Sequence, residues 1–240
     1  MITITIPVFN RPALVQSAIA SVLAQTSDQW ELIVVDDGSK DGTLGAAQRA
    51  VAGCKKAYVI SIPHIGQPGI VKNIGIRAGK GSYVAALDSD DTLAPTAVEE
   101  VLQVFSEHPD LDVVYTDRVM VGHGPEHLGV NCLIPYSMEG MLHHCLIRQL
   151  TVVRRWMFEA VGGFGRVPFA DDYEMGMRLS ELAQVHHLQR PLYRFNHDHE
   201  IPSVTTTQRA AQRRAVQQIQ RQAYLRRGMT PPDHLQPKES

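Results

Sequence analysis

Three acidic clusters could carry chemistry in this chain: Asp36-Asp37, Asp88-Ser89-Asp90-Asp91 and Asp171-Asp172. The middle one follows Tyr83-Val84-Ala85-Ala86-Leu87, a short apolar run after Gly79-Lys80-Gly81 that reads as a buried parallel strand. In open α/β sheets, ligands bind just outside the carboxyl ends of strands. On an extended segment Asp88 and Asp90 share a face. Two oxygen-only side chains on one face suit a hard divalent cation and a diphosphate bound to it. Taken alone, the four residues are equally well an acidic turn capping the next helix, with Pro95 in its first turn. An EF-hand is disfavoured, because Leu93 stands where a loop starting at Asp88 needs its glycine.

The elements that must position these acids come in a regular order. Ile2-Thr3-Ile4-Thr5-Ile6 alternates as a first strand ended by Pro7, and Pro12 starts a helix carrying Leu14, Ile19, Val22 and Leu23. Trp30 to Val35 is a second strand that stops at Asp36-Asp37-Gly38-Ser39, and a helix follows Thr43. Ala57 to Ile62 is a third, followed by a Gly/Pro loop and a helix over Val71 to Ala78. Strand-helix alternation at this spacing predicts a parallel sheet with right-handed crossovers. The loops after strands one, two and four then open on one edge and bring Asn10-Arg11, Asp36-Asp37 and Asp88 to Asp91 together. Separately, each has a plainer reading: Asp36-Asp37-Gly38-Ser39 as a turn, Lys72 as a solvated helix charge. No G-x-G-x-x-G follows strand one, and Gly162-Gly163-Phe164-Gly165 lies too far downstream, which disfavours a nicotinamide dehydrogenase.

Composition narrows the class. With 240 residues, 44% apolar and 20% charged, the chain suits one α/β domain, and its net charge of -2 argues against a dedicated nucleic-acid binder. Cys54, Cys132 and Cys145 are odd in number, lack metal-site spacing, and read as buried or free thiols of a reducing compartment rather than a disulfide frame. Without a basic leader or an apolar run long enough for a bilayer, the expected location is cytoplasmic.

Taken in order, Thr5-Ile6-Pro7-Val8-Phe9-Asn10, Val34-Val35-Asp36-Asp37-Gly38-Ser39-Lys40-Asp41-Gly42-Thr43, Lys72-Asn73-Ile74-Gly75-Ile76 and Leu87-Asp88-Ser89-Asp90-Asp91 resemble the nucleotide-sugar-binding half of family 2 glycosyltransferases, which have the GT-A fold. The likeness continues through Val161-Gly162-Gly163-Phe164, Asp171-Asp172-Tyr173-Glu174 and Tyr193-Arg194, covering residues 2 to 205. The resemblance implies a single α/β domain with a Rossmann-like, mostly parallel central sheet flanked by helices. Residues 1–118 would form the nucleotide-sugar half and 119–205 the acceptor and base half. It places Pro7, Phe9, Asn10 and Arg11 along the nucleotide, Asp36 and Asp37 near the base, and Lys72 and Asn73 in a segment that usually reads Arg-Asn. A lysine there keeps the cation and loses the bidentate fork. Asp88, Ser89 and Asp90 match the metal-and-ribose (DXD) motif. Mn²⁺ or Mg²⁺ is the implied cofactor, held by Asp90 or Asp91, with His197 or His199 closing over the metal or diphosphate from a loop that reads equally well as a solvated His/Asp turn. The implied donor is a nucleotide-diphosphate sugar, UDP by default, and the acceptor a glycan, a lipid-linked saccharide or a small molecule.

In the second half, Val113 to Asp117 reads as a strand, Gly122 to Tyr136 as a long loop, and Met138 to Ile147 as a helix. His143-His144 are adjacent on that helix and make a poor metal cluster. A helix begins at Asp171-Asp172 with a stripe of Met175, Leu179 and Leu182, and Asp171 with Glu174 resembles a capping box. The resemblance makes Asp172 the general base of an inverting displacement, with Asp171 as the alternative. Residues 206–240 read as a basic helix with a disordered tail from Pro231. Arg209, Arg213, Arg214, Arg221, Arg226 and Arg227 suit an anionic membrane surface along 206–228, the steering of a phosphate-bearing acceptor, or packing with charges in water. The thin apolar face of Ala215, Val216, Ile219 and Ala223 favours packing. Two other classes compete: a non-catalytic nucleotide- or glycan-binding module, and a sugar-nucleotide nucleotidyltransferase. The second lacks its Gly/Arg-rich loop, since Val8-Phe9-Asn10-Arg11-Pro12 stands after strand one.

Overall fold

Alternation in the first strand is set by burial on both of its faces. In the computed structural model, which describes residues 1–122, 127–131, 135–196 and 208–236, β1 (Ile2–Val8) buries Ile2, Ile4 and Ile6 against one layer and Thr3 and Thr5 against the other. The isoleucine layer is completed by Val15, Ala18, Ile19 and Val22 of α1 (Pro12–Leu23) and by α4 (Ala97–Glu107). The threonine layer meets α3 (Pro68–Ala78), and there only glycine fits. A Cβ on Gly75 would stand 1.9 Å from Thr5 Oγ1, and one on Gly79 2.3 Å from Thr3 Cγ2.

The sheet runs β3-β2-β1-β4-β8-β6-β9-β5, with β7 on β6. Strands β3 (Ala57–Ser61), β2 (Trp30–Asp36), β1 and β4 (Tyr83–Ala86) are mutually parallel, and α2 (Thr43–Val51) connects β2 to β3. Their carboxyl ends therefore share one edge, as the spacing predicts. Beyond β4 the sheet is mixed. Antiparallel β8 (Thr151–Arg154) joins β4 to β6 (Val113–Val121), β9 (Val185–Asn196) runs parallel to β6, and β5 (Thr92–Leu93) closes the edge antiparallel to β9. A second core lies under α5 (Arg155–Ala160), α6 (Asp171–Leu182) and α7 (Arg209–Arg226), built on Tyr115, Val153, Phe158, Tyr173, Met177 and Ile219.

Several local expectations fail. The Met138–Ile147 segment is not a helix; it holds a single 3-10 turn, Gly140–Leu142, with Met141 and Leu142 as buried anchors and His143 and His144 exposed. Within the expected 122–136 loop lies β7 (His127–Asn131), a hairpin partner of β6. Leu182 is 65% exposed and outside the α6 stripe. Pro231 and Leu235 are buried around a short turn, Asp233–Leu235, so an ordered segment replaces the start of the expected tail. Helix α7 packs as its apolar stripe predicts, burying Ala215, Ile219 and Ala223, while Arg226 makes a bidentate pair with Glu181 at 2.9 Å and 2.9 Å. Among the described residues, no helix is long and apolar enough to cross a membrane. Cys54 and Cys145 are free thiols; Cys132 lies outside the described residues.

Candidate active site

The acidic strand end is a turn, not an extension of β4. The strand stops at Ala86, and Asp91 N donates to Asp88 O at 3.1 Å. The period-two argument for Asp88 and Asp90 therefore lapses, and the two carboxylates find separate cations. Arg11 meets Asp90 at 2.6 Å, and Lys72 meets Asp88 at 3.3 Å. Burial raises Asp90 above the ordinary carboxylate range; Arg11 pulls it back and Asp88 pushes it further up. Asp91 points inward. Its Oδ2 accepts from Tyr193 Oη at 2.6 Å and its Oδ1 from Asn196 N at 2.7 Å, so both oxygens tie the turn to β9. Burial, with Asp90 and Asp88 close by, lifts its pKa strongly. Ser89 is buried inside the turn.

Lys72 is the link between the two halves. Its side chain is 3% exposed, and its ammonium reaches Asp172 at 2.9 Å, Asp171 at 3.1 Å and Asp88 at 3.3 Å. Phe164 covers it, with the ring centre 5.1 Å away. Burial alone would discharge an amine; the carboxylates outweigh it and hold the pKa well above the ordinary lysine value. Lys72 is thus neither a solvated charge nor, in this arrangement, free for a phosphate. Asp172 is pulled two ways. Burial lifts its pKa to about 7, against the attraction of Lys72 and helped by Asp171 and Asp88. Its other oxygen accepts from Gln149 Nε2. The carboxylate remains 32% exposed, so a substrate can reach it.

The expected capping box is absent. Ala170 is the N-cap of α6 and makes no side-chain cap bond. Asp171 is instead the first helical residue and spends its carboxylate on Lys72, while Glu174 pairs with Arg178 one turn on, whose Nε donates at 2.7 Å. Arg178 also donates to Gly163 O at 2.6 Å, bracing the Gly162-Gly163-Phe164 turn. Asn73 holds the same turn from the other side. Its Nδ2 donates to Phe164 O at 2.8 Å and its Oδ1 accepts from Phe164 N at 3.0 Å. Asn73→Ala leaves both backbone groups buried and unpaired, an expected loss of about 2–3 kcal/mol, which urea unfolding would report.

The residues expected on the nucleotide side gather on the same edge. Asn10 takes a left-handed conformation (φ 51°), accepts from Lys40 N at 2.9 Å, and donates its own N–H to Ser39 Oγ at 2.9 Å. Arg11 N donates to Thr43 Oγ1 at 2.8 Å, which fixes the start of α1 against α2. Pro7 is half-buried at the end of β1. Phe9 is 39% exposed and stacks on His64 with ring centres 4.1 Å apart, a flat apolar face at the mouth. Asp37 is committed to the chain, accepting from Ile65 N at 2.7 Å and Gly66 N at 2.9 Å. Asp36 Oδ2 accepts weakly from Ser39 N at 3.3 Å and Ser61 Oγ at 3.2 Å, while its buried Oδ1 has no partner among the described residues. His197 lies outside the described residues. Gln149 was not legible in the sequence: it precedes β8 in a segment without periodicity, and only the fold brings it to Asp172.

The sheet order and the edge-clustered acids define a GT-A architecture. The S. aureus TarS 1-349 structure in complex with UDP superposes with a TM-score of 0.73 at 17% identity, over 93% of this chain and 65% of that one. The Pyrobaculum calidifontis mannosyltransferase PcManGT, in complex with GDP-Man and Mn²⁺, gives 0.66 at 17% identity, over 96% and 66%. The chain belongs to glycosyl transferase family 2, whose family model matches residues 3–162. The chondroitin synthase of Escherichia coli is 30% identical over 196 residues, 80% of this chain and 28% of the synthase. The chain spans between 20% and 28% of the length of the chondroitin and hyaluronan synthases it matches.

Proposed function

We propose that this chain is an inverting glycosyltransferase that moves a sugar from a nucleotide-diphosphate donor, UDP-linked by default, to an acceptor hydroxyl. One observation carries the reading: buried Lys72 ties Asp88 of the acidic strand end to Asp171 and Asp172 of α6. The acidic strand end and the start of α6, remote in sequence, are thereby neighbours, as a donor site and its base would have to be.

The donor set supports a divalent cation. Asp88, Asp90, Asp91, Asp171 and Asp172 crowd around Lys72 and Arg11, leaving an excess of negative charge made wholly of hard oxygen ligands. Among the described residues no ready cage of His, Cys, Asp and Glu exists. Asp90 and Asp88 would hold Mn²⁺ or Mg²⁺, with Asp91 buttressing the turn from behind. When bound, the cation would stabilise the charge that grows on the departing diphosphate.

Asp36 Oδ1, orphaned and buried, suits an N–H of the base, and Phe9 supplies a stacking face. Asp172 would take the proton from the acceptor hydroxyl as that oxygen bonds to the anomeric carbon and the carbon–phosphate-oxygen bond breaks on the opposite face. Gln149 and Lys72 orient the carboxylate; no covalent enzyme intermediate is needed. Asp171, held by Lys72 and turned further from solvent, is the weaker base candidate. Peripheral membrane contact through α7 would be electrostatic only, since its apolar stripe is spent on packing.

Calorimetric titration with UDP, GDP and dTDP tests the reading. One nucleotide is expected to bind in Mn²⁺, and EDTA or Asp90→Ala should weaken it about tenfold or more, a change of about 1.4 kcal/mol. If no nucleotide binds under either condition, the transferase reading fails and a non-catalytic module replaces it.

A further inference from the structure

We propose that Arg118 and Arg148 form an anion subsite beside the reacting hydroxyl, built for an acceptor that carries a carboxylate or phosphate; the assignment to the acceptor rests on the transfer reading above. Arg118 stands on β6 in register with Tyr193 of β9. Paired positions share a face of the sheet, so its side chain leaves on the side where Tyr193 Oη meets Asp91. The guanidinium lies 4.5 Å from the centre of the Phe195 ring, and among the described residues its buried Nε has no hydrogen-bond partner. Arg148 enters from just before β8. Its Nε donates to Cys145 O at 2.6 Å, and the next residue, Gln149, donates to Asp172.

The other partly buried arginines around the site are committed. Arg11 pairs with Asp90, Arg178 with Glu174, and Arg155 bonds Gly81 O, Ile76 O and Thr3 Oγ1. Among the described residues Arg118 and Arg148 have no such carboxylate, and they lie close enough for the charge of Arg148 to be felt at Arg118. Burial and the nearby charge of Arg148 both press the Arg118 pKa down, and Asp91 only partly offsets them. Half-buried like charges left unpaired work against folding, and a bound anion would relieve them. A pair of planar guanidiniums matches the two-oxygen edge of a carboxylate or phosphate, which one ammonium does not. The donor's diphosphate belongs to the Asp88–Asp90 end. The arginines adjoin Gln149 and Asp172, the acceptor side.

The test titrates the full chain, with and without saturating UDP and Mg²⁺, with D-glucuronate, inorganic phosphate and neutral D-glucose. One of the anions is expected to bind about tenfold or more tightly than glucose, and Arg118→Gln or Arg148→Gln to remove about that factor, with UDP affinity held within about twofold. Preference for glucuronate identifies a uronate-bearing acceptor; preference for phosphate identifies a phosphorylated one. Arg118→Lys keeps the charge without the fork and is expected to lose most of the anion affinity at an unchanged thermal midpoint, which separates recognition from misfolding. Anion binding no tighter than glucose, or undiminished in both glutamine variants, overturns the subsite. An equal loss of UDP affinity also overturns it, by placing the pair on the donor's diphosphate. If the wild-type chain binds no UDP, the transfer reading fails, while the nucleotide-free titrations still decide whether the arginines bind an anion.

Discussion

Asp172→Asn is expected to lower the rate of sugar transfer by about 10²–10⁴-fold while nucleotide binding stays within a few-fold. The amide matches the carboxylate in size but does not accept the proton. Lys72 keeps Asp171 and Asp88 as partners, and the Asp171–Asp172 repulsion disappears, so the fold should survive. A carboxylate with a pKa of about 7 must be ionised to act as a base. The wild-type rate should therefore rise with pH and level off above neutrality, falling about tenfold per pH unit on the acid side. That limb should vanish in the variant. Stability moves the other way. The folded pKa of Asp172 is raised from 3.8 to about 7, so between those values the folded state keeps a proton that the unfolded state releases. This contribution is full below the unfolded value and is lost as pH rises through the folded one. Denaturation midpoints of wild type should thus decline relative to Asp172→Asn from pH 4 to 7. A variant keeping more than a tenth of the transfer rate would shift the base to Asp171.

What the sequence disclosed, and what it concealed, divides by the range of the forces involved. Strands β1, β2 and β4 were legible because each is a short apolar run with polar residues at its carboxyl end, and a parallel sheet puts those ends on one edge. Glycine at 75 was part of the family likeness, but its reason, the closeness of α3 to Thr5, lies in packing. Local reasoning misassigned Asp171. Its spacing to Glu174 fits a capping box, yet a buried ammonium one hundred residues upstream offers Asp171–Asp172 a stronger partner than an N–H does. Met138 to Ile147 read as a helix, and its apolar residues do stand at helical intervals. Met141, Leu146 and Ile147 are instead separate anchors of an irregular segment over α6, where burial replaces periodicity. β7 escaped for the opposite reason: a Gly- and His-rich run shows no alternation, and β6 supplies the pairing.

Lys72→Met should cost about 2–4 kcal/mol of stability at neutral pH, the range expected when one partner of a buried ion cluster is removed and the survivors are partly solvated. Methionine fills the space beneath Phe164, so the loss is electrostatic rather than a cavity. Asp88, Asp171 and Asp172, with 34%, 13% and 32% of their side chains exposed, would then repel one another without a counter-charge. Asp172 already holds its proton more tightly than a free carboxylate, and without the attraction of Lys72 its pKa climbs further. The variant should therefore recover much of the deficit at pH 5, where protonation relieves the repulsion. Wild type behaves differently at the alkaline end. The raised folded pKa of Lys72 gives a contribution that is complete below the unfolded value of 10.5 and fades only as pH passes the folded one. Urea titrations at pH 5, 7 and 9 separate these cases. Equal stability of variant and wild type at pH 7 would mean that Lys72 does not hold the halves together. Lys72→Arg supplies the remaining control. It restores the charge with a longer, forked side chain, and if charge alone closes the cleft it should recover most of the stability. A failure of arginine there would mean that the compact ammonium is needed to reach all three carboxylates at once.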